Sequence, residues 1–498
     1  MPHVPWLTLL IFWPLAAALA MPLLRRSAGA CRRFALAAAL VELVMAGVVV
    51  LLVAGPRPDL LLIEDAAWIP SLGIRYTLVC DGLSLVFVTL TAFVGVCCLL
   101  ASRRDGAARP ALYHALILSS LATVQGVFLA SDLFLFALFW EAQLVPVFFL
   151  IGVFGHGDRQ HAAVKFFLFS AVGGLFMFLA VIALGIIAAD GPEGPTFALD
   201  TLQNLPMPTT TGRWLFAAFV LSFAIKIPLV PAHLWLPDAH TEAPTAGSLI
   251  LAGLLLKTGG YSLIRFALPL FPEAAAAFAP LLTVLGLAGL FYASAVALAQ
   301  EDVKRLIAYS SIGHMGLAVA GIVAGSRLAL GGAVVMLLSH GLTAAGLFSL
   351  AGMLGERLDS RRFAVLGGLW NKAPRFGAAF LFCVLAAAAL PGLSGFVGEI
   401  MIIIGLFARN IFAGSVAVAG MAVTLAYLLR LARDTLFGPP RSGAPFPDLD
   451  LRETVLVCGL VLAILWLGLF PGLVLSAIVN PLDSIAAHVW PGAALSGL

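Results

Sequence analysis

FAIKIPLVPAHLWLPDAHTEAPTAGSLILAGLLLKTGG, residues 223–260, decides what kind of fold this chain adopts. Lys226 and Lys257 stand in apolar surroundings, and Pro228, Pro231 and His233 follow the first lysine closely. A lysine at the centre of a bilayer costs roughly 2.5–3.5 kcal/mol on insertion scales. A proline inside a helix removes a backbone hydrogen bond. Breaking both rules at one place requires a functional reason.

Working outward, the surrounding chain is a membrane protein. Of its 498 residues 62% are hydrophobic and 11% charged, more apolar sequence than a water-wetted surface allows. Apolar runs of about 20 residues, the length that spans a bilayer, recur throughout. Fourteen spans are expected, near 5–24, 34–54, 82–101, 112–130, 132–153, 165–189, 213–236, 245–267, 275–299, 304–324, 329–354, 376–407, 411–437 and 454–479. The expected fold is therefore an all-α polytopic membrane protein.

Charge distribution orients these helices. Four arginines (Arg25, Arg26, Arg32, Arg33) follow the first apolar run, where a signal peptide would carry its charges before it. The first run reads as an uncleaved helix with its N-terminus outside. Alternate loops and their flanks, among them RRSAGACRR, SRRDGAAR, QEDVKR and RLARDTLFGPPR, hold 20 of the 28 lysines and arginines. The positive-inside bias places those loops in the cytoplasm. An even number of helices then places both termini outside.

Two spans are interrupted. Helix seven contains IKIPLVPAHLWLP, and helix twelve contains LPGLSGFVGE with Pro391 and three glycines. They lie five helices apart and run in opposite directions. This pattern predicts four regions: helices one to three (1–110), an inverted repeat of helices four to eight (111–268), its counterpart of helices nine to thirteen (269–440), and a C-terminal helix (441–498). Broken helices at matching places in inverted halves mark a transport pathway at the midplane.

Seven titratable groups on six helices share one level of the membrane: Glu141, Lys226, His233, Lys257, His314, His340 and Glu399. Such groups must face one another or internal water. Burial disfavours the charged form of lysine and carboxylate alike, and an opposite neighbour restores it. A Glu141–Lys226 pair can thereby switch as it opens and closes, with histidines bridging the steps. Other polar positions carry less. Glu42, expected nearer the inner end of helix two, reads equally as a packing acid or a lipid-interface acid. Asp238, His240 and Glu242 imitate a metal cluster but read as capping and solvated loop residues. Trp140 reads as packing beside Glu141.

Several functions are excluded. The six cysteines have neither zinc-finger nor iron–sulfur spacing, and no P-loop or dinucleotide fingerprint is present. The chain has no visible means of using ATP or moving electrons, so any driving force comes from partner subunits. No cofactor, metal or nucleic acid is expected on this chain.

IKIPLVPAHLWLPDAHTEAPTAGSLILAGLLLKTGGYSLIRF, EDVKRLIAYSSIGHMG and SHGLTAAGLFSLAGML resemble the proton-translocating antiporter-like subunits of respiratory complex I, over roughly residues 80–440. Glu399 in LPGLSGFVGEI resembles the M-type branch, where sister subunits carry lysine. The resemblance implies proton translocation driven by NADH-to-quinone electron transfer in other subunits, which would hold the FMN, iron–sulfur clusters and quinone. It implies Glu141 paired with a switchable Lys226, and Lys257 as a central relay joined through His233, His314 and His340. Glu399 would be the terminal carrier, exchanging toward the outside. The implied partners are the L and N antiporter-like subunits and small membrane subunits, in a bacterial inner membrane. A related hydrogenase or ferredoxin-linked complex, or a multisubunit cation/proton antiporter, is the alternative.

Overall fold

The computed structural model describes residues 4–53, 61–102, 105–191 and 194–491. Arg103 and Arg104, counted above in a basic loop, lie outside them. In chain order the helices are α1 (Trp6–Leu24), α2 (Ala28–Val53), α3 (Gly82–Ala101), α4 (Pro110–Leu129), α5 (Leu133–Phe154) and α6 (Arg159–Ala189). Then come α7 in two halves (Thr209–Lys226 and Leu236–Glu242), α8 (Thr245–Leu270), α9 (Pro272–Leu298), α10 (Val303–Ile322) and α11 (Arg327–Leu358). Last are α12 in two halves (Pro374–Ala387 and Ser394–Arg409), α13 (Ile411–Leu436), α14 (Leu451–Leu469) and α15 (Gly472–Val489).

Twelve of these helices, among the described residues, are long and apolar enough to cross a membrane. They include α15 and exclude the two broken helices and α10. The expected last span, 454–479, is corrected: it ends at Leu469, and Pro471 and Gly472 open a separate helix. The segment before α3 also differs from the all-α expectation. Strands β1 (Leu62–Ile69) and β2 (Ile74–Cys80) pair antiparallel into one hairpin, turned through Gly73 in the left-handed conformation (φ 68°). Asp65 on β1 receives Arg75 and Thr77 from β2, a polar surface that belongs outside the hydrocarbon.

Helices α8 and α11 form the centre, buried along their whole apolar length, whereas α2, α14 and α15 are only 33% buried and face outward. The most central helices thus carry Lys257 and His340. Small residues let backbones approach closely there. A methyl group on Gly398 of α12 would sit 2.6 Å from the Met336 amide nitrogen of α11. Helix α8 is also unusual internally: two wide π turns, Leu251–Leu255 and Leu263–Ala267, bracket the turn that holds Lys257.

The polar loops opposite the hairpin are tied by specific bonds. Asp450 and Glu453 form a reciprocal capping box at the start of α14, and Arg357 at the end of α11 donates to both Glu453 oxygens (3.0 and 2.6 Å). Asp448 accepts from the Arg375 and Phe376 amides (3.0 and 2.9 Å), capping the first half of α12.

Candidate functional site

Both helix breaks leave carbonyls that need partners, and each finds one. The first half of α7 ends at Lys226, and the Trp235 indole N–H donates to the Ile225 carbonyl across the break (2.9 Å). The first half of α12 ends at Ala387, whose carbonyl lies 3.1 Å from His314 Nε2 of α10. Ala389 just beyond it is held in the left-handed region (φ 55°). Irregular backbone is thus covered by protein at both places.

Around the first break, the Lys226 ammonium is 1% exposed and its Nζ has no hydrogen-bond partner. It lies 4.9 Å from the centre of the Trp140 ring. Trp140 is therefore more than packing: its π face is the polar surface offered to this cation. Glu141, the next residue, interacts electrostatically with Lys226, yet no hydrogen bond joins them. Its Oε1 is buried and unpartnered, pressed against Gly174 of α6. The pair is apart in this structure.

Lys257 is fully buried. Its Nζ donates to the Ala252 carbonyl within the first π turn, and stands 2.6 Å from His340 Nδ1. A π turn widens the helix and frees a carbonyl that an ordinary turn would consume. The His340 ring centre is 5.8 Å from that of His314, and His314 Nε2 is 3.8 Å from Glu399 Oε1. Ser310 accepts from or donates to His314 Nδ1 (3.2 Å) and receives the Tyr427 hydroxyl (2.9 Å). Between His314, His340, Thr343 and Glu399 lies a cavity of about 20 Å³, enough for one water with several polar partners.

Four of the seven expected groups thus form one line, Lys257–His340–His314–Glu399, and Glu141 and Lys226 form a second cluster. His233 joins neither by a bond. It is buried just past the break, edge-on to Tyr292 of α9 (5.2 Å), with both ring nitrogens unpartnered. The histidine that sequence reasoning missed is His240. Its reading as a solvated loop residue is corrected, because the second half of α7 carries it into the core. There it stacks on Phe348 of α11 (4.5 Å), fully buried, with both nitrogens unpartnered. It interacts electrostatically with Lys257 and Lys304. Asp238 turns the other way, to Lys165 (2.6 Å) and Arg305 (3.5 Å). Lys304 was also missed: counted as a basic loop residue, it is 1% exposed and donates to the Ala243 carbonyl (2.8 Å). The available signal for His240 was its place in a short run, Leu236–Glu242, with no glycine and its proline at the start, where a helix can begin.

Known proteins bear on this arrangement. Residues 130–424 match the family model described as NADH:quinone oxidoreductase/Mrp antiporter, TM. A Pseudomonas aeruginosa protein named NADH-quinone oxidoreductase subunit M is 44% identical over 89% of this chain and 88% of its own. The Rhodobacter capsulatus protein of the same name is 40% identical over 94% of each. Among solved structures, a chain of respiratory complex I from Thermus thermophilus superposes with a TM-score of 0.88 at 30% identity, covering 97% of this chain and 99% of that one. Identity of this extent, over most of the chain, means that the chain belongs to the subunit M family of NADH-quinone oxidoreductases.

Proposed function

We propose that this chain carries protons across the membrane through two linked clusters, Glu141–Lys226 and Lys257–His340–His314–Glu399. As a member of its family it is a membrane subunit of an NADH-quinone oxidoreductase, and the redox chemistry lies in other subunits. The single observation that carries the proposal is the row of close polar groups from Lys257 Nζ to His340 Nδ1 (2.6 Å), on to the His314 ring (5.8 Å between ring centres) and to Glu399 (3.8 Å from His314), with a water-sized cavity beside them. It runs between helices that are otherwise apolar. Each member gains or loses a proton readily, and the water-sized cavity completes the step between the imidazoles and the carboxyl.

In this reading Lys226 is charged when Glu141 closes on it and can give up its proton when the pair opens. The Trp140 face steadies the ammonium in the open state. Lys257 takes the proton onward to His340, and Glu399 releases it on the hairpin side, the outside by the charge rule. His233 serves the Lys257 relay from just beyond the α7 break, and His240 faces the same relay through its interaction with Lys257. Helices α4–α8 and α9–α13 act as two inverted halves, one per break. The complex would hold FMN, iron–sulfur clusters and quinone in other chains, with L and N subunits and small subunits as neighbours. The membrane is the bacterial inner membrane, with both termini on its outer side. Helix α15 keeps the C-terminus there, because it runs along the hairpin-side ends of α8 and α11 (His488 to the Pro269 carbonyl, 3.1 Å; Asp483 to Arg327, 3.3 Å) and does not cross back.

Variants at Glu399 test this in the assembled enzyme. Glu399→Ala removes the terminal carrier, and Glu399→Lys restores a titratable group beside His314. Protons moved per NADH oxidised in sealed vesicles should fall severalfold in Glu399→Ala and recover in Glu399→Lys. Equal loss in both, at equal assembly, would rule out a carrier role.

A further inference from the structure

A second protonatable site stands apart from this line. Glu42, near the middle of α2, is fully buried among α1, α3 and α4. It is not at the inner end as the sequence implied. Its partner Gln125 lies about one turn from the end of α4 that adjoins the hairpin, where Ala130 bridges Leu78 of β2. It is no lipid-interface acid.

The hydrogen bonds around this pair are incomplete in a specific way. Gln125 Nε2 donates to Glu42 Oε1 (2.9 Å) and to the Val88 carbonyl of α3 (3.3 Å). Two acceptors around one atom fix it as the nitrogen of the amide. That leaves Glu42 Oε2 and Gln125 Oε1, both buried and both without a partner. If Glu42 were ionised, both orphans would be pure acceptors, and neither could satisfy the other. A full negative charge would then rest on one neutral donor, in a fully buried position. Neither α1 nor α3 carries a lysine, arginine or histidine. The one histidine of α4, His114, sits at its other end and bonds the Pro110 carbonyl (2.7 Å). A buried charge without a counter-ion is far costlier than a neutral polar pair.

One proton resolves every term. Placed on Oε2, it converts that atom into a donor for Gln125 Oε1 and closes a ring of two hydrogen bonds, amide to acid and acid to amide. We infer that Glu42 is a neutral, proton-holding carboxylic acid paired with Gln125, a protonation site in helices α1–α4 that lies off the relay. The proton can leave only if the amide turns away, because nothing else nearby compensates the carboxylate.

Infrared spectroscopy of the assembled enzyme in membranes tests this, comparing wild type with Glu42→Gln. Glutamine is the isostere of the neutral acid, since its N–H replaces the O–H donor to Gln125. Glu42→Gln should therefore assemble to the wild-type level. The difference spectrum should show loss of one protonated-carboxyl C=O band that shifts in deuterium oxide. Dicyclohexylcarbodiimide gives a chemical readout of the same state. The acid adds across its C=N bond, oxygen to carbon and proton to nitrogen, so a peptide containing Glu42 should gain the mass of the reagent. Loss of an ionised-carboxylate band in Glu42→Gln, in place of the protonated band, would overturn the inference.

Discussion

At the residue scale, the chemistry depends on where side chains are left unpartnered. Lys226, Glu141, His233 and His240 each have at least one buried polar atom without a hydrogen bond, whereas Lys257 and His314 are fully engaged. A proton passes only between groups within hydrogen-bond reach or through a water, so the engaged groups are aligned for transfer and the unpartnered ones exchange only when a partner or water reaches them. Gly174 enforces this at Glu141, since a methyl group there would overlap Oε1. Gly174→Ala should push the carboxylate out of its place and cut proton translocation by up to about a hundredfold, the loss that misplacing a reacting group by about 1 Å can produce. NADH oxidation coupled to dye-detected acidification would show it, and full acidification would mean that Glu141 has another route. The charged members of the relay were legible in the sequence because a lysine or glutamate in a long apolar run has no ordinary reason to be there. His240 was not. It follows prolines in a stretch whose polar letters read as a loop, and only the helical second half of α7 turns it inward.

At the scale of elements, sequence showed the breaks but not how they are healed. Prolines and glycines located both interruptions, while the bonds that cover them, Trp235 to Ile225 and His314 to Ala387, join residues 10 and 73 positions apart in the chain. The hairpin was missed because β1 is mostly exposed with no regular apolar alternation, and the buried alternation of β2 (Ile74, Leu78, Cys80) spans only seven residues just before a long apolar run. The π turns of α8 leave no mark in composition at all. Capping offers a direct test of loop–helix coupling. Burial alone would raise the pKa of Asp448, but the amides of Arg375, Phe376 and Leu449 together with the Arg375 charge outweigh it and hold the carboxyl below its ordinary value. A depressed carboxylate stabilises the fold above its unfolded pKa of about 3.9, and that contribution disappears as pH falls through the folded value. Asp448→Ala should therefore cost about 1 kcal/mol near neutrality. In thermal unfolding of the solubilised complex the difference from wild type should shrink as pH falls below the ordinary carboxylate range and Asp448 itself protonates.

For the whole molecule, the arrangement is a polar line held in the middle of an apolar bundle by its two most buried helices. The fold class, the position of the breaks and the level of the buried charges all follow from where polar residues interrupt apolar sequence. The end of α14 and the separate helix α15 do not, because a proline near a membrane boundary reads equally as a kink or a stop. The central claim is that Lys226 is the switchable charge on which translocation depends. Its most direct test is the number of protons moved per NADH oxidised by the assembled enzyme carrying Lys226→Ala, reconstituted in sealed vesicles. The account predicts that the complex assembles and that pumping falls to a small fraction of wild type. A wild-type proton ratio in the fully assembled variant would contradict it.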